Sequence, residues 1–164
     1  MEKSKVSEYL SEYLDEAQIY ANKNSGCKKV AVGSILLLKA ENAPLIYGCN
    51  KSLPVDCKQY GCRRIELYGE DSKNHRLPSD CRSLHSEVDV ITNAAKWGYC
   101  TRDAILIVTR YPCESCARVI VNAGIKEVYY GRQTAISEET EKIFKSGSVE
   151  FLHVKNWTYN DTER

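Results

Sequence analysis

Two short clusters hold residue types that do chemistry: His85-Ser86-Glu87 and Pro112-Cys113-Glu114-Ser115-Cys116. A histidine and a Cys-x-x-Cys offer one imidazole nitrogen and two thiolates, a donor set that suits zinc. Three protein ligands leave the fourth position of a tetrahedral zinc open, which is the arrangement of a catalytic rather than a structural site. Cys113 and Cys116 are three residues apart, so on a helix they share a face and can share an ion. Glu87 stands two residues from His85 and mid-helix would point elsewhere. In a first turn, both side chains reach past the helix end. A carboxylate there can take a proton from water and hand it to a leaving group. A Cys-x-x-Cys alone reads as readily as a redox pair or structural zinc knuckle as it does as part of an open site; the joint pattern favours the open site.

The elements that must position these residues follow from periodicity. Residues 85–97 read as a helix closed by Gly98, and 113–123 as a helix closed by Gly124. Both clusters therefore fall at helix starts, where the positive end of the dipole lowers thiol pKa and favours anions. Residues 104–109 (AILIVT), 127–130 and 149–154 read as strands, and 137–145 as a helix with Ser137 as its N-cap. Before them, Val6, Leu10, Tyr13, Leu14, Ala17 and Ala21 mark an amphipathic helix. Residues 30–38 (VAVGSILLL) mark a buried strand, and 44–47 a second strand antiparallel to it. Strands alternating with helices predict an α/β sandwich with parallel pairs. Residues 50–84 have no clear period and read as an irregular insertion, long enough that something must order it.

At 164 residues, with 43% hydrophobic and 27% charged, the chain is expected to be one globular domain over 1–164. Lysines and arginines number 23 against 22 acids, so there is no global basic field for a nucleic acid, and the final stretch FLHVKNWTYNDTER presents no basic face. The longest apolar run, 30–38, is far short of the roughly 20 residues of a membrane span. The opening MEKSKVSEYL lacks a secretory pattern, so the expected setting is cytoplasmic and its eight cysteines reduced.

Several stretches together resemble deoxycytidylate (dCMP) deaminases of the cytidine deaminase superfamily. The pair H-x-E…P-C-x-x-C is the signature of zinc nucleobase deaminases. IYGCN resembles the family's "GYN" strand end, RSLHSEVDVITNAAKWG its "HAE-x-NAI" helix, and ILIVTRYPCESCARVIVNAGIKEVYYG its "YVT-x-x-PC-x-x-CA…I…AGIKEVVY". The likeness is collinear over about residues 27–131. Histidine at position 85 differs from the free-cytidine deaminases, which use cysteine there, and the short gap from Cys113 to Cys116 differs from the riboflavin-pathway deaminases. The chain departs from the family in having Ser86 for alanine, Asp89 for asparagine, Lys51 for glycine, and GRQTAISEE where the family carries "Y-x-D".

The resemblance implies a three-layer α-β-α cytidine deaminase fold with a five-stranded mixed sheet and helices on both faces. It also implies a catalytic zinc on His85, Cys113 and Cys116, with Glu87 as proton shuttle. The reaction would be hydrolysis of dCMP to dUMP and ammonia. Asn50 would bind the nucleotide near sugar and phosphate, or simply favour a turn. Arg64 and Arg82 could offer forks to phosphate or be structural, and Tyr111 could stack on the base or belong to the core. Cys27, Cys57, Cys62 and Cys81 match a cysteine pattern of some bacterial relatives and could hold a second, structural zinc or remain free thiols, with His75 an outside substitute. Cys49 and Cys100 read as packing residues, and His153 has no assigned role. The implied partner is a small-molecule nucleotide, with no nucleic acid or membrane, in a homo-oligomer. The rival readings are a tRNA or nucleic acid base deaminase and an inactive zinc-stabilised binding protein.

Overall fold

The structure is a computed structural model that describes residues 3–27, 29–52, 57–69, 81–133 and 136–159. Its elements are α1 (Lys3–Asn24), β1 (Gly33–Leu37), β2 (Ile46–Cys49), β3 (Lys51–Ser52), α2 (Cys57–Tyr60), α3 (Arg63–Tyr68), β4 (Ser83–Leu84), α4 (Ser86–Lys96), β5 (Ile105–Arg110), α5 (Glu114–Asn122), β6 (Glu127–Arg132), α6 (Glu138–Ser146) and β7 (Glu150–His153). Five strands form one sheet in the order β2-β1-β5-β6-β7. β1 is antiparallel to β2 and to β5, whereas β5–β6 and β6–β7 are parallel and are each joined through a helix.

Alternation along the strands builds three layers. Leu36, Leu106, Val108, Val128 and Tyr130 face α4, α5 and α6 and pack with Val90, Ala117, Ile120 and Phe144. Their neighbours Ile35, Leu37, Ile107 and Tyr129 face Leu14 and Ala17 of α1 and the C-terminal Trp157. This is the expected α-β-α sandwich with a mixed sheet. The second strand begins at Ile46, after Pro44, whose ring nitrogen has no hydrogen to give to a ladder.

The stretch read as irregular holds more order than its composition shows. Its described part contains the two-stranded ribbon β3–β4 and the short helices α2 and α3. Elements of two to six residues are too short to display a period, so patterning misses them. Arg82 ties this stretch together: Nη1 donates to the Gly61 carbonyl (3.1 Å) and to Glu66 Oε1 (3.0 Å), and Nη2 donates to Glu66 Oε2 (3.1 Å). His75 lies outside the described residues. Among the described residues, no helix is long and apolar enough to cross a membrane.

The register places one end of the sheet as the working end. Gly33 at the start of β1 pairs with Cys49 at the end of β2, and Ser34 pairs with Val108 near the end of β5. Segments 29–32, 50–52 and 110–113 therefore emerge together. α4 is seated above them by close backbone approach. A Cβ at Gly48 would lie 2.6 Å from the Val90 nitrogen and 2.7 Å from the Ser86 carbonyl oxygen, so only glycine fits. Ser34 Oγ donates to the same Ser86 carbonyl (2.7 Å), and Asn93 Nδ2 to the Tyr47 carbonyl (2.9 Å).

Gly48→Ala must push α4 off β2. It is expected to destabilise the protein by about 1–3 kcal/mol, the range for overpacking. Chemical denaturation checks this, and an unchanged midpoint would show that the helix tolerates the shift.

Candidate active site

His85 is the N-cap residue of α4 and Cys113 the N-cap residue of α5. Both have extended backbone (φ −72°, ψ 152° and φ −78°, ψ 166°), and neither side chain caps its own helix, so each is left to point past the helix end. Cys116, one turn into α5, is buried. His85 Nδ1 lies 3.4 Å from Cys113 Sγ and 3.3 Å from Cys116 Sγ. Zinc–sulfur bonds of ~2.3 Å and zinc–nitrogen bonds of ~2.05 Å in a tetrahedron give an N···S edge of about 3.5 Å. The donor types and their spacing therefore fit zinc. Among the described residues, this is the group of His, Cys, Asp or Glu whose ligand atoms all lie within 4.8 Å of one another.

The electrostatics prepare the ligands. Hydrogen bonds from Cys116 and from His85 pull the Cys113 thiol down to about 4, while the same bond to Cys113 pushes Cys116 up. Hydrogen bonds to Cys113 and then Cys81 hold His85 up to about 10, against its burial. Cys113 is thus the more acidic of the two thiols, and a metal held here would compete with protons for these donors.

Glu87 lies in the first turn of α4 and is 4% exposed. Burial pushes its carboxyl up; the His85 charge and the Ser86 hydroxyl, which donates to Oε2 at 3.1 Å, oppose the rise. A buried carboxyl whose pKa is raised is suited to moving protons.

These groups open onto a cleft of about 420 Å³. Of the residues that the sequence points to, His85, Glu87, Cys113, Asn50, Arg64, Tyr111, Cys27, Cys62 and Cys81 line it. Asn50 is fixed in the wall: Oδ1 accepts from the Val32 nitrogen (2.9 Å) and Ser25 Oγ (2.7 Å), and Nδ2 donates to the Val30 carbonyl (2.8 Å). Tyr111 is both wall and core, since its hydroxyl donates to the Ser137 carbonyl (3.1 Å) and its ring meets Tyr130 edge-on. Arg82 is not in the cleft; its fork is occupied by Glu66. Lys29 and Arg110 also line the cleft, and sequence reasoning misses both. Arg110 carries a usable signal, because it ends a parallel strand directly before the ligand motif, where α/β sheets bind ligands.

Cys27, Cys57, Cys62 and Cys81 do not form a group with ligand atoms within 4.8 Å of one another, and all eight cysteines are free. Cys81 instead stands beside His85, which pulls its thiol down, and Cys57 is buried in α2. Burial pushes Cys49 up to about 11, as suits a packing thiol. Cys100 is exposed and does not pack, contrary to its sequence reading. It follows the end of α4, beyond the layer that the helix covers. His153 stacks on Tyr130 with centroids 4.9 Å apart, away from the cleft.

The model for the cytidine and deoxycytidylate deaminase zinc-binding region matches residues 7–132. ComE operon protein 2 of Bacillus subtilis (strain 168) is 28% identical over 127 residues, covering 76% of this chain and 60% of that protein. Deoxycytidylate deaminase of Saccharomyces cerevisiae is 26% identical over 137 residues, covering 84% of this chain and 42% of that protein. The chain thus spans less than two thirds of the length of either relative. The crystal structure of dCMP deaminase from the cyanophage S-TIM5 in complex with dCMP and dUMP superposes with a TM-score of 0.63 at 23% identity, over 93% of this chain and 99% of that one. That likeness is one of fold.

His85→Ala or Cys116→Ala is expected to lose most of the bound zinc. Glu87→Ala, which removes no ligand, is expected to retain it. Elemental analysis of the purified variants decides; zinc loss in Glu87→Ala would make the carboxylate a ligand.

Proposed function

The chain belongs to the cytidine and deoxycytidylate deaminase zinc-binding family, and we propose that it hydrolyses dCMP to dUMP and ammonia. The observation that carries this reading is the burial of Glu87 in the same cleft as the imidazole and thiols of the zinc group. A purely structural zinc has no use for a buried carboxylate at its side. His85, Cys113 and Cys116 would hold zinc, which when bound would supply a Lewis acid that makes water nucleophilic near neutral pH.

The chain's own residues do the rest. The carbon–oxygen bond forms as water adds at the amino-bearing carbon of the base, and the carbon–nitrogen bond breaks as ammonia leaves. Glu87 accepts the proton that water gives up and returns it to the departing nitrogen. Ser86 Oγ holds one carboxylate oxygen in place throughout. The ring of Tyr111 walls the cleft beside the ligands and excludes water from that side.

Nucleotide rather than nucleoside is supported by the cations of the cleft. Lys29, Arg64 and Arg110 share its lining with Asn50, and guanidinium forks match phosphate geometry. The cations are gathered in one concave site, with a net charge of only +1 over the chain, which suits a small anion better than a nucleic acid backbone. The zinc-ligand geometry supports one ion per chain.

Ammonia release by zinc-loaded protein tests the reading with dCMP, CMP, dCTP, deoxycytidine and a cytosine oligonucleotide. dCMP is expected to be turned over, with kcat/KM for deoxycytidine at least about tenfold lower, as loss of a charged contact implies. Equal turnover of deoxycytidine would make the substrate a nucleoside, and no turnover of any would favour a binding protein. Glu87→Gln is expected to lower kcat by about 10²–10⁴, the usual contribution of a proton-transferring group. Elemental analysis is expected to give about one zinc per chain; a count near two would show that Cys27, Cys57, Cys62 and Cys81 close around a second ion.

A further inference from the structure

Two of the departures from the family pattern meet in space. Asp89, where the family has asparagine, lies in the first turn of α4 and is 5% exposed. Lys51, where the family has glycine, begins β3. Lys51 Nζ lies 3.0 Å from Asp89 Oδ2, and the same oxygen accepts from the Cys49 nitrogen at 3.0 Å. Burial would lower the Lys51 pKa, but the bond to Asp89 holds it above its ordinary value. Each charge alone would be a costly group to bury; together they are compensated.

The residue between those two anchors is Asn50. Asp89 thus grips the chain on both sides of the side chain that forms the cleft wall, from the helix that carries Glu87. β3 also pairs Lys51 with Leu84, the residue before His85. The carboxylate therefore couples the binding wall to the catalytic helix at a point where a neutral pair can make only the Cys49 contact.

We propose that Lys51 and Asp89 are positioning residues, a matched charge pair that fixes Asn50 against α4 and so sets affinity for the nucleotide. This rests on the deaminase reading for its kinetic arm but not for its structural one. Lys51→Met, Asp89→Asn, the double variant and Lys51→Arg are compared as zinc-loaded proteins. Each neutralising single variant is expected to raise KM for dCMP about tenfold with kcat within about threefold and zinc content unchanged. Hydrogen exchange over residues 46–52 is expected to quicken about tenfold in the same two variants. The double variant, which loses the same contact and buries no unpaired charge, is expected to match either single variant rather than their sum, and Lys51→Arg to keep both readouts within about threefold of wild type. A merely structural pair would lower the unfolding midpoint without splitting KM from kcat. Additive losses in the double variant, unchanged exchange, or equal damage by Lys51→Arg and Lys51→Met would overturn the proposal. The Lys51 variants alone can overturn it even where Asp89→Asn does not fold. If the wild type turns over no nucleotide while exchange behaves as stated, the clamp stands and the deaminase reading falls.

Discussion

Everything in this molecule depends on two helix N-termini ending at the same place. An imidazole and two thiols must meet at 3.3–3.4 Å, yet they sit on α4 and α5, which are separated in sequence by a whole strand. The meeting is possible because α4 lies on β2 and β1 and α5 leaves the end of β5, all in one sheet. Gly48 sets how near α4 lies. The Ser34 hydroxyl, tied to the first carbonyl of that helix, sets where it starts. Two positive helix ends facing one another would be unfavourable without anions between them. Cys113, whose thiol is pulled down by its hydrogen bonds to Cys116 and His85, stands at one of those ends.

The same constraint accounts for the charges around the site. An acid in the first turn of α4 is favoured by the dipole, but a second acid two residues after Glu87 in a buried environment is not tolerated alone. Lys51 provides the compensation from across the β2–β3 corner. Deleting one member of such a pair costs on the order of 3 kcal/mol, whereas replacing both is often near neutral. The two departures from the family pattern therefore meet in one ion pair.

Much of this is legible in the sequence. Long elements with a clear period read with boundaries close to those found, because their apolar faces are the cores of the two cluster layers. The grouping of His85, Cys113 and Cys116 is legible because the H-x-E and P-C-x-x-C resemblance points to it and both motifs read as helix starts. What fails to show has a common physical cause: it depends on partners distant in the chain. Arg82 and Arg64 look alike in sequence, but Glu66 occupies the fork of one while the other lines the cleft. Lys29 and Arg110 carry no local signal beyond the strand ends they flank. Asp89 and Lys51 each read as an isolated departure, because no pattern links residues brought together by the β3–β4 ribbon. The resemblance groups Cys27, Cys57, Cys62 and Cys81, whereas the fold sends Cys57 into α2 and Cys81 toward His85.

The central claim is that the site presents one imidazole and two thiolates, with no third thiol closing it. Cys81 is the thiol that challenges this, since it lines the same cleft and its thiol is pulled down by His85. X-ray absorption spectroscopy at the zinc edge of the metal-loaded protein reads the ligand set directly. Two sulfur neighbours, one imidazole nitrogen and one further light atom are expected. Three or four sulfur neighbours on a single bound ion would mean a closed, structural site and would contradict the central claim.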